Sequence, residues 1–314
     1  MSDEVADIIT ASWADSTTAS YDSQLRKWKE YCGRNGIANP ATATTAQGIS
    51  FLAELFGSGA KYGTIATARS ALSAIIPVEG STFGKTEVVG RILKGVFKKR
   101  PSLPKKVVIY DTNIVLEFME TWPPNEVLLL EEITLKLTTL LCILSGQRAQ
   151  AIAKLSLSHM YKDDTSFTFY IPTVLKTTTP TFHQKPLVFN RYPHSEKLCI
   201  WSCLKEYLQR TDLIRENVEE GHRLILSYAA PNQPVESATI CRYVKSFLMK
   251  TGIDVTVFTA HSTRSASTSA ANNMGLSVKD LAKAAGWKQG STFQKFYKFP
   301  IVKNFGDSVL SAPR

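Results

Sequence analysis

Residues 261–297 read HSTRSASTSAANNMGLSVKDLAKAAGWKQGSTFQKFY, which is the most specific pattern in the chain. His261 precedes Arg264 by three residues, a spacing that places both side chains on one face of a helix. Arg264 is also the only lysine, arginine, aspartate or glutamate between Asp254 and Lys279. A guanidinium keeps its charge and is costly to bury without an anion. We therefore expect this arginine to be partly buried and to face either a remote carboxylate or an external anion.

The second half of the stretch predicts two short helices. A capping box at residues 277–280 begins the first helix, which ends at Gly286, so that the ring of Trp287 can project from the helix end. A second capping box at residues 291–294 begins a helix that carries Tyr297. Such aromatic residues most often belong to the hydrophobic core, and this alternative stays open for both of them.

A second isolated arginine lies in the segment CILSGQRAQAIA. Arg148 is the only charged residue between Lys136 and Lys154, and its neighbours are apolar or small and polar. The planar fork of an arginine matches the paired oxygens of a phosphate. The two isolated arginines therefore predict a phosphate site, and the alternative is that distant aspartate or glutamate residues neutralise each of them.

The charge of the chain points to the same kind of ligand. Its 314 residues include 37 lysines and arginines against 27 aspartates and glutamates, a formal net charge of +10. Residues 91–106 carry seven basic residues and no acid, residues 241–300 carry nine basic residues and two acids, and the first 16 residues carry four acids and no base. This distribution favours a polyanionic partner, nucleic acid before an anionic membrane surface, over an ordinary solvated surface. The predicted DNA-binding residues are Arg91, Lys94, Lys98, Lys99, Arg100, Lys105, Lys106, Arg242 and Lys245.

The composition argues against several other classes of protein. Hydrophobic residues make up 44% of the chain and charged residues 20%, which suits a folded protein with a sizeable core. No apolar run approaches the roughly 18 residues that cross a bilayer, and the acidic start MSDEVADIIT does not match a signal peptide. Five cysteines, an odd and low number, indicate a reduced intracellular protein without a disulfide framework.

The first hundred residues predict a small helical bundle. Apolar residues recur at helical spacing in residues 21–32, 49–55 and 65–76, and EVVGRILKGVFKK at 87–99 forms a fourth amphipathic segment. The segment RPSLPKK that follows is basic, contains two prolines and has no apolar period, so it predicts a linker.

The second half of the chain has a different pattern. Residues 132–146 are almost continuously apolar and predict a buried helix. Residues 166–171 alternate between apolar and polar side chains and predict a strand, and the segments 173–180 and 185–189 are expected to complete a small antiparallel sheet. From residue 196 onward the pattern is mostly helical.

The order of these motifs resembles the active-site signature of the tyrosine recombinases, also called phage-type integrases. Arg148, the HSTR motif with His261 and Arg264, then Trp287 and Tyr297 occur in that family's order. The phrases SGQRAQ, HSTRSASTSA and AGWKQGSTFQKFYK are most similar to the branch carried by eukaryotic DIRS-type retrotransposons and Cryptons. The resemblance implies a mainly α fold with a small antiparallel β-sheet, made of an N-terminal helical bundle (the core-binding domain) and an α+β catalytic domain.

The resemblance also implies a division of the chain. The expected segments are an acidic N-terminal tail at 1–15, a helical DNA-binding domain at 16–100, a linker at 101–107, a catalytic domain at 108–305 and a C-terminal tail at 306–314.

A lysine and an acid complete the family's pattern, and here only the lysine has a match. The family places a lysine on a β-hairpin after the first arginine, and the only lysine of the hairpin-like segment PTVLKTTTP is Lys176. Lys185, across the predicted turn, is the competing residue. Many members carry an acid three residues after the first arginine, where this chain has Ala151. The spacing of ten residues from Trp287 to Tyr297 is one longer than in the commoner bacterial pattern, and the retroelement branch shares it.

The mechanism that the resemblance implies is DNA cleavage and rejoining. Tyr297 attacks a phosphodiester and forms a 3′-phosphotyrosyl bond, while the two isolated arginines neutralise the charge on the phosphoryl oxygens. Trp287 donates its indole N–H to the phosphate, His261 hydrogen-bonds it and assists deprotonation of the tyrosine, and Lys176 is the general acid for the leaving 5′-oxygen. The resemblance implies no ATP, metal or other cofactor, and GSGAKYG does not have the spacing of a nucleotide-binding loop.

Alternative functions stay open at this point. The chain could be a DNA-binding protein that descends from a mobile element and is no longer catalytic, or an enzyme that relaxes DNA in the manner of type IB topoisomerases. A metal site has little support, because Cys199 and Cys203 predict helix core and Asp163 and Asp164 predict a solvated turn between a helix and a strand. The expected partners are double-stranded DNA and further protomers in a synaptic tetramer. The eukaryotic look of the motifs favours the nucleus.

Overall fold

The computed structural model describes residues 11–101, 109–175 and 177–287. The predicted fold class is confirmed, since the chain is mainly helical with small antiparallel sheets. It divides into two compact units, residues 1–106 and residues 107–314. Of the predicted segments, the linker beyond Pro101, the C-terminal tail and most of the N-terminal tail lie outside the described residues.

Within residues 11–101, the described part of the first unit, the main helices are α1 (Asp15–Arg34), α2 (Thr45–Gly57), α3 (Tyr62–Leu72) and α4 (Glu87–Lys99). The predicted apolar stripes lie on the buried faces of these helices, and their central residues Trp28, Leu52 and Ile65 are almost completely buried. A short hairpin lies between α3 and α4 in the chain, and the sequence did not predict it. Its strands β1 (Pro77–Val78) and β2 (Ser81–Thr82) have two residues each.

One glycine sets the packing of this bundle. A Cβ atom on Gly48 of α2 would lie 2.6 Å from Cε2 of Phe83, a ring that is fully buried between α3 and α4. Because no side chain fits in this gap, α2 can approach the ring closely only with glycine at this position.

The second unit surrounds one buried helix. In the described ranges its α-helices are α5 (Thr112–Thr121), α6 (Leu130–Ser145), α7 (Ala149–Ala153), α8 (Ile200–Arg215), α9 (Ser237–Lys250), α10 (Ala260–Asn273) and α11 (Val278–Ala284). Residues 133–143 of α6 are all buried, as the apolar run predicted, and α6 packs against α8, α9 and α10. Even Lys136 is buried there, where its ammonium donates to Oδ1 of Asn125 at 2.8 Å and burial lowers its pKa. None of the helices in the described ranges is long and apolar enough to span a bilayer.

In the described part of the second unit, β3 (Met160–Lys162), β4 (Ser166–Phe169) and β5 (Leu187–Asn190) form an antiparallel sheet in that order. Strand β4 is confirmed, and its buried residues Phe167 and Phe169 alternate as predicted. The predicted segment 185–189 contributes to β5, but none of the described residues of segment 173–180 belongs to a strand of this sheet. The described part of the connection between β4 and β5 has a single bridge, from Thr179 to Phe182. Consecutive threonines and a proline favour extended backbone locally, but they do not supply a neighbouring strand.

The turn at Asp163 and Asp164 joins two strands, β3 and β4, and does not join a helix to a strand as predicted. The carboxylate of Asp163 accepts hydrogen bonds from the hydroxyl and the backbone N–H of Thr165 and from the backbone N–H of Ser166, each at 2.7 Å, and these bonds lower its pKa. The side chain therefore stabilises a tight turn, which is a common use of aspartate.

Candidate active site

Arg264 and His261 lie in the first two turns of α10. Thr259 caps this helix, and its backbone N–H donates to Oγ of Ser262 at 3.0 Å. His261 is exposed, whereas Arg264, one turn further along the helix, is only 2% exposed. The helical spacing predicted for the pair is therefore present, and the arginine is buried more deeply than its partner.

The end of α11 covers the buried arginine. Nη2 of Arg264 donates to the carbonyl oxygen of Ala285 at 2.8 Å, and its guanidinium carbon lies 4.8 Å from the centre of the Trp287 ring. Of the two alternatives for Trp287, the buried one is observed: the ring at the end of α11 is 3% exposed and packs with Leu281. Gly286 has a φ of +65°, which turns the chain back so that the backbone N–H of Trp287 donates to an α11 carbonyl.

The loop of residues 146–148, between α6 and α7, packs against the same place. Gly146 ends α6 with a φ of +59°, and a Cβ atom at this position would lie 3.1 Å from the side chain of Thr268 in α10. Nε2 of the next residue, Gln147, donates to the carbonyl oxygen of Ala284 at 2.6 Å. Gln147 and Arg264 thus bind consecutive carbonyls at the end of α11, and Arg148 directly follows Gln147 in the chain. The segments of the two isolated arginines meet, although 116 residue positions separate them in the sequence.

Arg148 itself has an environment that differs from that of Arg264. It is half-buried at the N-terminal end of α7, and its guanidinium makes no hydrogen bond or ion pair with any residue in the described ranges. It lines a small cleft whose other lining residues are Gln147, Gln150, Ala151, Leu175, Thr177 and Gln184. No described carboxylate neutralises this charge, so an external anion can bind it.

The connection between β4 and β5 forms the opposite wall of this cleft. Lys176 and Tyr297 lie outside the described residues, but Leu175 and Thr177, the neighbours of Lys176, both line the cleft. Lys185, the competing lysine, is exposed and is not among the lining residues. Gln184 reaches the end of α11, where a Cβ atom on Gly286 would lie 2.2 Å from its Oε1 atom.

Two residues that the sequence did not single out hold this arrangement together. Gln147 is one, and its position directly before Arg148 was the only signal. The other is Tyr110, whose hydroxyl donates to Oγ1 of Thr263 at 2.8 Å in a buried hydrogen bond. Burial raises the pKa of Tyr110, so the phenol stays a neutral donor. Thr263 directly precedes Arg264, and the bond therefore fixes the turn of α10 that carries the arginine.

The position of the missing acid is part of the same cleft. Ala151 lies in α7, is 2% exposed and lines the cleft with Arg148. A carboxylate at this position would lose most of its hydration. The structure thus has a small apolar side chain at the position where many members of the family that the sequence resembles have an acid.

The predicted DNA-binding residues of the first unit fall into two groups. Arg91, Lys94 and Lys98 of α4 line one concave surface of the first unit, and Lys99, the next residue in the chain, is exposed. Arg100 differs, because its guanidinium donates to the carbonyl oxygens of Ala60 and Phe56 at 2.9 and 3.2 Å and stacks on the Phe56 ring at 4.3 Å. It joins α4 to the α2–α3 loop, and we remove it from the predicted contacts to DNA. Lys105 and Lys106 lie outside the described residues.

In the second unit, Arg242 and Lys245 lie one turn apart on α9, and both are exposed. Arg242 donates from Nη2 to Oγ1 of Thr239 at 2.9 Å. Neither residue forms an ion pair with a described residue, so both charges are available to a polyanion.

The two cysteines with metal-like spacing belong to the core. Cys199 caps α8 and Cys203 lies in its first turns, and both are completely buried. Burial raises the pKa of Cys203 to about 12, which keeps its thiol protonated and unsuited to bind zinc. The described residues contain no group of three or more histidine, cysteine, aspartate or glutamate residues that could hold a metal ion.

Comparison with protein families gives a match over most of the second unit. The profile of the phage integrase family matches residues 115–299. The chain belongs to the phage integrase family. Comparison with the curated proteins found no significant match. The match of this integrase-family chain includes Arg148, His261, Arg264, Trp287 and Tyr297.

Solved structures with the same fold cover nearly the whole integrase-family chain. The XerH site-specific recombinase bound to palindromic difH substrate, in a post-cleavage complex, has a TM-score of 0.62 and 15% identity, over 94% of this chain and 79% of that one. The Tn1549 transposon integrase in complex with transposon right end DNA has a TM-score of 0.55 and 14% identity, over 95% and 93%. A lambda integrase tetramer bound to a Holliday junction has a TM-score of 0.52 and 17% identity, over 96% and 78%. At these identities the likeness establishes the fold.

Proposed function

We propose that this integrase-family chain is a DNA strand-exchange enzyme, a site-specific recombinase or transposon integrase. One observation carries the proposal: Gln147, the residue directly before Arg148, and Arg264 bind consecutive carbonyls at the end of α11, so that the segments of the two isolated arginines meet there. Arg148 lines a cleft and has no ion pair with a described residue, which fits a phosphate ligand, and the net charge of +10 fits a polyanionic substrate.

The proposed reaction transfers a phosphoryl group to the protein and back. The phenolate oxygen of Tyr297 attacks the phosphorus of a DNA phosphodiester, and the bond to the 5′-oxygen breaks as the 3′-phosphotyrosyl bond forms. A proton from Lys176 neutralises the leaving 5′-oxygen, which becomes a hydroxyl. Attack by a 5′-hydroxyl of a second strand reverses these steps, releases the tyrosine and joins the new strands. The bond energy is conserved throughout, so the reaction requires neither ATP nor a divalent metal.

The arginines act on the charge that develops during this transfer. Arg148 and Arg264 donate to the non-bridging oxygens, whose negative charge is greatest in the pentacoordinate state. Trp287 donates its indole N–H to the same group and packs against the guanidinium of Arg264, which shields the site from water. His261 hydrogen-bonds the phosphate and helps to deprotonate Tyr297, since an unperturbed phenol has a pKa of about 10.

The assignment of the general acid to Lys176 is supported by its neighbours in the chain. Leu175 and Thr177 line the cleft with Arg148. The backbone N–H of Leu175 also donates to Oγ1 of Thr178 at 2.9 Å, and the N–H of Thr178 donates back to the Leu175 carbonyl at 2.9 Å. These reciprocal bonds hold both flanks of Lys176 at the cleft.

The DNA would follow the basic surfaces of both units. Arg91, Lys94, Lys98 and Lys99 on the first unit and Arg242 with Lys245 on the second are the proposed phosphate contacts, with Lys105 and Lys106 between them in the sequence. Strand exchange joins several DNA ends, and we propose that protomers assemble into a tetramer on DNA, as the lambda integrase does on a Holliday junction. Membership of the DIRS and Crypton branch and a nuclear location remain predictions from the sequence motifs.

Covalent trapping tests the proposal. A duplex with a nick just beyond the cleavage position loses its short 5′-hydroxyl fragment after cleavage, so an active protein stays attached to the DNA. We expect a protein–DNA adduct that survives denaturation, with no adduct from Tyr297→Phe. Normal DNA binding without any adduct would favour a catalytically silent DNA-binding protein, and relaxation of supercoiled plasmid without strand exchange would favour a topoisomerase.

A further inference from the structure

Three basic side chains from three different elements surround one indole on the second unit. The ammonium groups of Lys162 and Lys205 lie 5.6 and 5.7 Å from the centre of the Trp201 ring, and the guanidinium carbon of Arg191 lies 5.3 Å from it. Lys162 ends β3, Arg191 directly follows β5, and Trp201 and Lys205 lie one turn apart in the first turns of α8. We call these three cations and the indole the Trp201 patch.

The indole is fixed in place by the turn between β3 and β4. Its Nε1 atom donates to the backbone carbonyl of Asp163 at 3.1 Å, and its ring lies 5.9 Å from the ring of Phe167. Lys162 pairs with Phe167 across the sheet and extends over that ring at 5.4 Å. The patch is therefore a built feature, in which the sheet and α8 hold a rigid aromatic platform beneath the charges.

The patch and the candidate active site lie at opposite ends of strand β4. Lys162 and Arg191 lie beside the Ser166 end, where β3 and β5 meet the turn. The connection that lines the cleft with Arg148 leaves the sheet at the other end, after Phe169. The strand between these two ends is about 10 Å long at 3.3 Å per residue, so the patch and the segment that lines the cleft belong to different ends of the sheet.

No described carboxylate neutralises these charges. Lys162, Arg191 and Lys205 are all exposed, and none of them forms an ion pair with a residue in the described ranges. Asp163, which directly follows Lys162, accepts hydrogen bonds within its own turn, and Glu206, which directly follows Lys205, pairs with Arg210. Asp164 beside Asp163 forms no ion pair in the described part of the chain. Three like charges around one ring repel one another, and a bound polyanion removes this repulsion.

We propose that the Trp201 patch binds the phosphate backbone of double-stranded DNA outside the cleft. Because each of the three cations lies within 5.7 Å of one point, they are at most about 11 Å apart. Three successive phosphates of one strand span about 7 Å of the helix axis, so one strand can engage all three cations. Backbone contacts of this kind give affinity without base recognition. The proposal concerns DNA binding only and holds whether or not the chain transfers strands.

Salt dependence of DNA binding is the direct test. The slope of log Kobs against log salt is negative, and each phosphate contact adds about 0.9 to its magnitude. We would measure this slope by fluorescence anisotropy for the full chain and for the triple variant Lys162→Gln, Arg191→Gln, Lys205→Gln, each with a long duplex. We expect the magnitude of the slope to be smaller by about 2 to 3 in the triple variant than in the parent. The matched control removes three other exposed lysines of the second unit, as Lys250→Gln, Lys279→Gln, Lys283→Gln, and should change the slope by less than about 1.

Two further variants separate charge from folding. Arg191→Lys keeps the charge and should keep the slope. The single charge reversal Lys205→Glu should make the slope shallower, while the melting temperature stays near that of the parent. Covalent trapping at saturating DNA and low salt should be unchanged in the triple variant, because the cleft is intact. A failure of trapping in the parent protein would refute strand exchange and leave the difference in slope unaffected.

The proposal is overturned if the triple variant has the slope of the parent. In that case we would also measure the affinity of the parent and the triple variant for a peptide of residues 1–16, the acidic start of this chain, and look for a loss in the variant. That result would assign the patch to an acidic protein segment and not to DNA.

Discussion

Nη2 of Arg264 lies 2.8 Å from the carbonyl oxygen of Ala285, one peptide beyond the carbonyl that Gln147 binds. A buried guanidinium held by a helix end is a preorganised donor, since little motion is needed before it meets a charged ligand. Arg148, by contrast, is half-buried and forms no hydrogen bond or ion pair with the residues that the structure describes. The two arginines are thus expected to differ in what they contribute to stability.

Removing Arg264 should destabilise the protein more than removing Arg148. We expect Arg264→Ala to lower the free energy of unfolding by about 1–3 kcal/mol, because a charge-assisted hydrogen bond and packing against Trp287 are lost. Arg148→Ala should change it by less than about 1 kcal/mol. Urea unfolding of both variants checks this difference. Equal destabilisation would show that Arg148 has a structural role.

Gln147 should act as a positioning residue for its neighbour Arg148. Gln147→Leu removes the donor to the Ala284 carbonyl, a bond worth about 0.5–1.5 kcal/mol, and should slow adduct formation by up to about tenfold. DNA affinity should stay unchanged, because the residue need not touch DNA. Gln150→Leu is the matched control: Gln150 lines the same cleft, and its side chain has no hydrogen bond to a described residue. Equal effects of the two substitutions would contradict a positioning role for Gln147.

The buried Tyr110 predicts a dependence of stability on pH. Burial raises the pKa of its phenol, whereas the unfolded chain has the ordinary value of about 10. The contribution of Tyr110 is therefore complete below pH 10 and is lost as the pH rises above the unfolded value. Tyr110→Phe should cost about 1 kcal/mol at pH 7, through loss of the hydrogen bond to Thr263, and less at pH 10.5. Denaturant unfolding of the parent and the variant at the two pH values measures this cost. A larger difference in unfolding free energy between parent and variant at pH 10.5 than at pH 7 would contradict the prediction.

Thiol reactivity should distinguish core cysteines from a metal site. Burial raises the pKa of Cys142 and Cys203 to about 12, and both should resist an aromatic disulfide reagent at pH 8 in the folded protein. Cys241 is half-buried and should react first. Unfolding should expose all five thiols of the chain. Rapid reaction of Cys203 in the folded protein, or its protection by added zinc, would contradict its assignment to the core.

Local patterns in the sequence predicted local structure well. His261 and Arg264 lie in one helix as their spacing predicted, and residues 133–143 are buried as their apolar character required. Ser277 caps α11 by accepting a hydrogen bond from the backbone N–H of Asp280 at 3.1 Å, although the reciprocal bond of the predicted capping box is not among the described hydrogen bonds. Each of these features depends on residues a few positions apart, and helix geometry alone connects them.

Features that depend on distant residues could not be predicted. The bond from Gln147 to Ala284 joins positions 137 residues apart, and no periodicity records it. Arg100 belongs to a basic run, but only the folded bundle brings it to the carbonyl oxygens of Ala60 and Phe56. In the same way, Trp287 follows a helix-ending glycine, and the sequence does not show that the chain turns back over Arg264.

The central claim is that the two arginines act on the charge of one phosphate, and a neutral substrate tests it most directly. A methylphosphonate at the cleavage position replaces a charged non-bridging oxygen with a methyl group. We predict that Arg148→Ala forms the covalent adduct about 100- to 1,000-fold more slowly than the parent on the normal phosphodiester. On the methylphosphonate its rate should be within about tenfold of the parent's, because the charge that the arginine neutralises is absent. The same large loss on both substrates would contradict the claim.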